Sequence, residues 1–212
     1  METVFFLGGS IAFVGLVLWL GIRQRQKLNE VFSDFAMKLG CPVTLAESRW
    51  FGFPSIAGTY RRYPLRIWMF TRSSGSGKSR STTTYTAFSI RVPTTTDFEF
   101  HVYEQGFFSK IGINLFGMQD IQINDEEFDG EFVIKGKDEN RIIEFLAPDI
   151  KQKFLEFARQ YVAFGVKYSG GQLYYERAAT IRSEKFRTEL EELINFYSDL
   201  ADRIATMERR RS

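Results

Sequence analysis

The stretch of this chain that most resembles reactive machinery is Ser73 to Ser79, which reads SSGSGKS. Its Gly77-Lys78-Ser79 end matches the close of a phosphate-binding loop. In such a loop, backbone amides cradle the phosphates, the lysine reaches the outer ones and the hydroxyl binds Mg²⁺. Three features weigh against that use. The pattern needs a glycine five residues before Gly77, and Arg72 stands there. The motif must open a helix whose N-terminus faces the anion, whereas Thr82-Thr83-Thr84-Tyr85-Thr86 is β-branched and reads as a strand. No apolar strand ending in a metal-binding Asp follows in α/β order. Ser/Gly-rich composition between two strands fits a long flexible hairpin loop better.

Other chemistry is thinner. The chain has one histidine, His101, and one cysteine, Cys41. That pair rules out a Cys/His metal cluster and weighs against a histidine-activated nucleophile. His101 falls on the polar side of an alternating strand and is expected to be a solvated surface residue. Asp125, Glu126, Glu127, Asp129 and Glu131 form an acidic cluster of a kind that can bind Ca²⁺ or Mg²⁺. They lack the Asx-x-Asx-x-Asx-Gly spacing of a calcium loop and read as a solvated turn. No catalytic residue, metal site or cofactor is assigned.

Charge carries more information than motif. The formal net charge of +2 conceals a division. Residues 48–96 hold eight basic side chains and no acidic one, whereas residues 97–156 hold fourteen acidic and six basic, a net of −8. From the first block, Arg61, Arg62, Arg66, Arg72, Lys78 and Arg80 are the candidate surface for an anionic partner, either lipid headgroups or a protein. The competing reading has the two blocks face each other within the fold and neutralise. Nucleic acid is not the expected partner.

These side chains hang on an unusual beginning. Val4 to Ile22, VFFLGGSIAFVGLVLWLGI, runs nineteen residues without a charge. At the helical rise it is about 28 Å long, close to the hydrocarbon thickness of a bilayer. The sequence therefore predicts a single-pass membrane helix. A cleaved signal peptide fits less well, because Met1-Glu2-Thr3 carries no basic residue and the apolar run is too long. Arg23, Arg25 and Lys27 follow the span while Glu2 precedes it, so the positive-inside rule puts the N-terminus outside and the rest in the cytoplasm. A lone cysteine agrees with a reducing compartment. Gly8, Ala12 and Gly15 share one helix face, and small residues at that spacing let two membrane helices approach as a homodimer. The plain alternative is that glycine is common in such helices.

Beyond the anchor (residues 1–23), Gln24 to Leu39 reads as an amphipathic helix. Its stripe of Leu28, Val31, Phe32, Phe35, Ala36 and Leu39 docks on the body, and Gly40 and Pro42 stop it. Leu65 to Phe70, Ala87 to Val92 and Phe98 to Tyr103 alternate with period two, predicting half-buried antiparallel strands. Gly106 to Gln119 is apolar but broken by glycines. It either folds back over the sheet or offers Phe107 and Phe108 to a partner or membrane. Phe128 to Leu146 reads as strand, turn and a short strand or helix. Pro148 opens a helix to about Tyr161, and a hairpin turns at Ser169-Gly170-Gly171. The last helix starts near Ser183 as N-cap. Its apolar stripe from Phe186 to Met207 is wider than a two-position seam, so it suits packing on a sheet better than a coiled coil.

Two segments resemble a known group. Phe128-Asp129, Phe132-Val133-Ile134-Lys135-Gly136-Lys137-Asp138 and Phe145-Leu146-Ala147-Pro148, with Gly58-Thr59-Tyr60-Arg61-Arg62-Tyr63-Pro64-Leu65 upstream, are similar to uncharacterised bacterial single-pass membrane-anchored proteins of unknown function. The resemblance implies a bacterial cytoplasmic membrane and an α+β domain, and it carries over no catalytic residue.

The sequence thus predicts a transmembrane anchor (1–23), a stalk helix (24–40) and a cytoplasmic α+β domain (41–208) with an antiparallel sheet. Residues 41–120 and 121–208 could form two subdomains. The expected function is a membrane-tethered binding or scaffold domain. A nucleotide or phosphoester hydrolase using Ser73–Ser79 stands as the alternative.

Overall fold

The computed structural model describes residues 2–44, 52–93, 97–105, 118–161 and 164–210, with the side chains of residues 2–14 and of Lys78 outside the description. The chain is α+β. Among the described residues nine antiparallel strands form one sheet in the order β1-β2-β3-β4-β9-β8-β5-β7-β6. They are β1 (Val43–Thr44), β2 (Ser55–Tyr60), β3 (Tyr63–Ser74), β4 (Ser81–Arg91), β5 (Phe100–Glu104), β6 (Gln119–Ile121), β7 (Phe132–Gly136), β8 (Gly165–Ser169) and β9 (Gln172–Arg177). Strands from either side of residue 120 mix in it, because β9 pairs with β4 and β5 lies between β8 and β7.

Period-two alternation sorts the side chains onto two faces. On one face, Ile56, Ile67, Phe88 and Tyr175 line up across β2, β3, β4 and β9, and Val166, Val102, Ile134 and Ile121 line up across β8, β5, β7 and β6. All are buried, and this is the face the helices cover. Helix α1 (Glu2–Leu39) runs unbroken from the apolar N-terminal stretch into the stalk. It lays Leu28, Phe32, Phe35, Ala36 and Leu39 into the core, and Gly40 in the left-handed region (φ 64°) ends it.

Helix α5 (Glu184–Arg209) begins at Ser183, whose hydroxyl accepts from the Phe186 amide at 3.3 Å. Its wide stripe packs on the sheet, with the Tyr197 ring 4.8 Å from Phe88. Lys38 of α1 forms an ion pair with Glu191 of α5. Helix α4 (Pro148–Gln160) sends Phe154 among Phe128, Phe132, Phe164 and Phe196 at centroid distances of 5.4–5.9 Å. Helix α3 (Glu139–Phe145) stacks Phe145 on Phe100 at 4.5 Å. This aromatic cluster absorbs much of the chain's phenylalanine.

Three expectations change. The acidic cluster is solvated at Glu126, Glu127 and Glu131, but it forms a helix rather than a turn. Asp125 caps a short helix, α2 (Glu126–Glu131), by accepting from the Phe128 amide at 3.2 Å. Asp129 accepts from the amides of Ile123 and Asp125, and Asp125 and Glu127 pair with Lys151 and Arg159. Local amides, one lysine and one arginine thus engage Asp125, Glu127 and Asp129. Secondly, the Ser73–Ser79 stretch is not a long flexible loop. Strands β3 and β4 pair up to Ser74↔Ser81, so only Gly75 to Arg80 turns. Cross-strand hydroxyl bonds Ser73–Thr82 (3.1 Å) and Ser74–Ser81 (2.9 Å) zip the arm. Thirdly, His101 is buried, 2% exposed. It sits in a central strand between Lys167 of β8 and Lys135 of β7, where long side chains from both neighbours hem it in.

Among the described residues no helix is long and apolar enough to cross a membrane. The side chains before Gly15 in the predicted span lie outside the described residues, as do residues 106–117 of the glycine-broken apolar segment.

Candidate anionic-partner face

The opposite face of the sheet carries the polar half of the alternation. One rung crosses all eight strands from β2 to β6: Ala57, Arg66, Ser89, Tyr174, Lys167, His101, Lys135 and Asp120. It is rich in cations and hydroxyls. Beside it, Trp68 meets Tyr174 at 6.0 Å and Phe70 stacks on Tyr85 at 5.5 Å, all four half-buried. Every helix contact described above lies on the other face, so these aromatics form a platform without a helical cover among the described residues.

The six predicted cations divide sharply. Arg61 and Arg62 sit in the β2–β3 turn and are engaged by carboxylates of α5. Arg61 donates to Asp199 at 2.6 Å and to Asn195 at 3.0 Å. Arg62 donates through Nε to Asp202 at 2.9 Å, and the Tyr63 hydroxyl donates to the same carboxylate at 2.7 Å. Arg72 is equally committed: its guanidinium donates to Glu176 at 2.8 Å and lies over the rings of Phe70 and Tyr85 at 5.0 and 4.9 Å. Each of these guanidinium groups is held above its ordinary pKa, first by the hydrogen bond to its carboxylate.

Arg66 and Arg80 differ. Arg66 is exposed and lies over Trp68 at 5.4 Å. Arg80 donates to the neutral Ser73 hydroxyl at 3.3 Å. Neither has an ion pair among the described residues. Lys78 lies in the three-residue 3-10 turn Gly77–Ser79 at the arm's tip. That turn passes directly into β4, so the lysine does not precede a helix N-terminus.

The basic block is therefore partly neutralised, but not by residues 97–156. Its carboxylates come from β9 and α5. The acidic block pairs mostly with its own lysines instead, Glu99 with Lys137, Asp120 with Lys135 and Asp125 with Lys151, while Glu127 pairs with Arg159 just beyond it.

Of the small-residue face, the side chains of Gly8 and Ala12 lie outside the described residues, and a Cβ built on Gly15 meets nothing within 4 Å. Around and below it, Leu16, Val17, Leu18, Trp19, Leu20 and Ile22 are 39–52% exposed. Arg23 lies over the Trp19 ring at 5.2 Å.

Among the described residues no group of three or more His, Cys, Asp or Glu could hold a metal ion. The His101 ring has no hydrogen-bond partner on either nitrogen among them, and burial, then the charge of Lys167, lowers its pKa to about 4. Cys41 is buried against the Thr59 carbonyl (3.7 Å), and burial raises its thiol pKa, which makes it inert rather than nucleophilic.

No protein-family model matches this chain, and no curated protein matches it in sequence. Its fold is similar to the crystal structure of the mycobacterial trehalose monomycolate transport factor A. That likeness covers 84% of this chain and 94% of the other, with a TM-score of 0.55 and 11% identity. At that identity it speaks to the fold alone.

Proposed function

We propose that this protein is a binding module tethered to the cytoplasmic side of a membrane. The apolar half of α1 is its anchor, and the sheet face around Arg66, Trp68 and Phe70, which has no helical cover among the described residues, receives an anionic partner with its neighbouring cations. The observation that carries this reading is the exposure of Leu16, Val17, Leu18, Trp19 and Leu20 at consecutive helical positions. Five successive residues point in every direction around a helix, so one docking face cannot cover them, whereas a bilayer can. The same uncharged run continues towards the N-terminus in the sequence. Arg23 and Trp19 then stand where basic and aromatic residues mark an interface. Arg23, Arg25 and Lys27 favour the cytoplasm for everything after them.

The sheet offers no helix-capped phosphate loop, so binding is a better use of the basic residues than hydrolysis. Fold alone does not assign function.

The test is extraction and topology. The full chain should stay with membranes through an alkaline carbonate wash. A protease outside intact cells should leave its bulk uncut. Release by carbonate, or digestion from outside, overturns the reading.

A further inference from the structure

We infer that the β3–β4 hairpin is an arm that rests on the headgroups of the same bilayer, binding anionic lipid; this deepens the membrane-tethered reading and rests on it. Strand β2 leaves β3 at the Ser55↔Trp68 pair, and β9 leaves β4 at the Arg177↔Thr86 pair. Past those points, among the described residues, β3 and β4 pair only with each other for five more rungs, Phe70↔Tyr85 to Ser74↔Ser81. At the rise of an antiparallel strand this overhang is about 17 Å long before the turn.

Its direction follows from α1. The helix's C-terminal end lies against the far part of β2, where Cys41 touches Thr59. Arg25 instead donates to the Gly52 carbonyl (3.2 Å), just before β2 begins. Walking up α1 towards its N-terminus is therefore walking along the sheet towards the arm. Arg182, just before α5, donates to the Gln24 carbonyl (3.4 Å) at the same end. From Arg25 to Trp19 the helix climbs about 9 Å, and to Leu16 about 14 Å. The arm thus reaches the level of Leu16 to Ile22, where the apolar collar meets its interfacial Trp19 and Arg23.

The composition of the arm suits that depth. From Phe70 to Tyr85 there are nine Ser and Thr residues, three cations and no carboxylate. Thr71 to Gly77 and Ser79 to Thr83 are exposed. So polar a tip cannot enter hydrocarbon, but its hydroxyls and Arg80 match phosphate oxygens. Its base is stiff, because Arg72 joins Phe70, Tyr85 and Glu176, and Tyr174 donates to the same carboxylate at 2.5 Å. A stiff arm keeps its reach.

The test uses the full chain with Cys41→Ser, reconstituted in phosphatidylcholine vesicles with or without phosphatidylglycerol and with nitroxide-headgroup lipid. An environment-sensitive fluorophore is placed on Ser76→Cys at the tip or, as a control, on Thr59→Cys at the far end of β2. The tip label should be quenched, the control label should not, and quenching should be stronger with phosphatidylglycerol. Lys78→Gln with Arg80→Gln should lower the ratio of docked to undocked arm about thirtyfold in those vesicles, each cation near an anionic surface being worth about fivefold. An unquenched tip on a chain that resists carbonate overturns the arm and leaves the anchor standing. Equal quenching with and without phosphatidylglycerol overturns the anionic preference. If an acidic polypeptide protects the tip label while lipid does not, the partner is protein and the inference fails. Release of the chain by carbonate overturns the underlying reading itself.

Discussion

Arg61 and Asp199 are 138 residues apart in sequence and 2.6 Å apart in space, and their bond ties the β2–β3 turn to the middle of α5. The turn needs that tie. Arg61 adopts φ 53°, the left-handed region that costs a residue with a side chain about 1 kcal/mol. Asp199 also accepts from Lys153 of α4 at 2.9 Å, so one carboxylate holds three elements.

Asp199→Asn should therefore loosen the hairpin. Burial alone would raise the Asp199 carboxyl, but bonds from Lys153 and Arg61 outweigh it and hold the group below its ordinary value of 3.8. A depressed carboxylate stabilises the fold fully above that ordinary value, and the contribution is lost as pH falls through the lower folded value. Because both partners are more than a third exposed, the expected loss is only about 1 kcal/mol. Urea titration of the full chain in detergent at pH 7 checks the size. At pH 2 the variant and the parent should converge.

His101 gives a pH dependence in a different window. Its folded pKa of about 4 lies below the ordinary 6.5, because burial and Lys167 disfavour the imidazolium. Above 6.5 the ring is neutral in both states and costs nothing. Between 6.5 and 4 the unfolded chain takes up a proton that the folded chain refuses, so stability falls with pH by about 3 kcal/mol in all. His101→Phe should remove that slope while leaving stability at pH 7 no lower, since the ring nitrogens have no partner to lose among the described residues. A parent whose stability stays flat from pH 7 to 4.5 would refute the argument.

The contrast between these two residues shows what was legible in the sequence. Local signals read well: Ser183 as N-cap, the wide stripe of α5, the hairpin at Gly170-Gly171 and the unbroken run of α1 all depend on neighbours within a few positions. Alternation also placed His101 on the non-core face correctly. It could not say that β5 sits mid-sheet between β8 and β7, with a lysine on either side of His101. Nor could charge counts show that Arg61 and Arg62 find Asp199 and Asp202, because the pairing depends on where α5 crosses the sheet. Helix α2 was missed because its six residues carry a glycine and four carboxylates, and what holds it is the capping by Asp125, the bonds to Asp129 and the burial of Phe128 against distant rings.

Gly136 ends β7 under α3. A Cβ there would overlap Ile142 Cδ1 and come to 3.1 Å from the Glu99 carbonyl oxygen. The Ile142 methyl can shift, but the backbone oxygen belongs to the segment entering β5 and cannot move without disturbing it. Gly136→Ala should cost about 2 kcal/mol through overpacking, while Gly15→Ala, with open space around it, should leave the thermal midpoint unchanged.

The pair Arg141–Glu208 couples α3 to the end of α5 in the core, the two side chains being only 6% and 8% exposed. The guanidinium also lies 4.3 Å over the Phe98 ring. Two charges withdrawn from water repay that cost only together. Arg141→Met would leave the Glu208 carboxylate buried without its counter-charge and should destabilise the chain by about 3 kcal/mol. Replacing both, Arg141→Met with Glu208→Leu, removes both desolvation costs and keeps apolar contact with Phe98, so most of that loss should return. A double-mutant cycle in urea measures the difference. A double variant as weak as the sum of its singles would mean that packing around the guanidinium, rather than charge pairing, fixes α3 against α5.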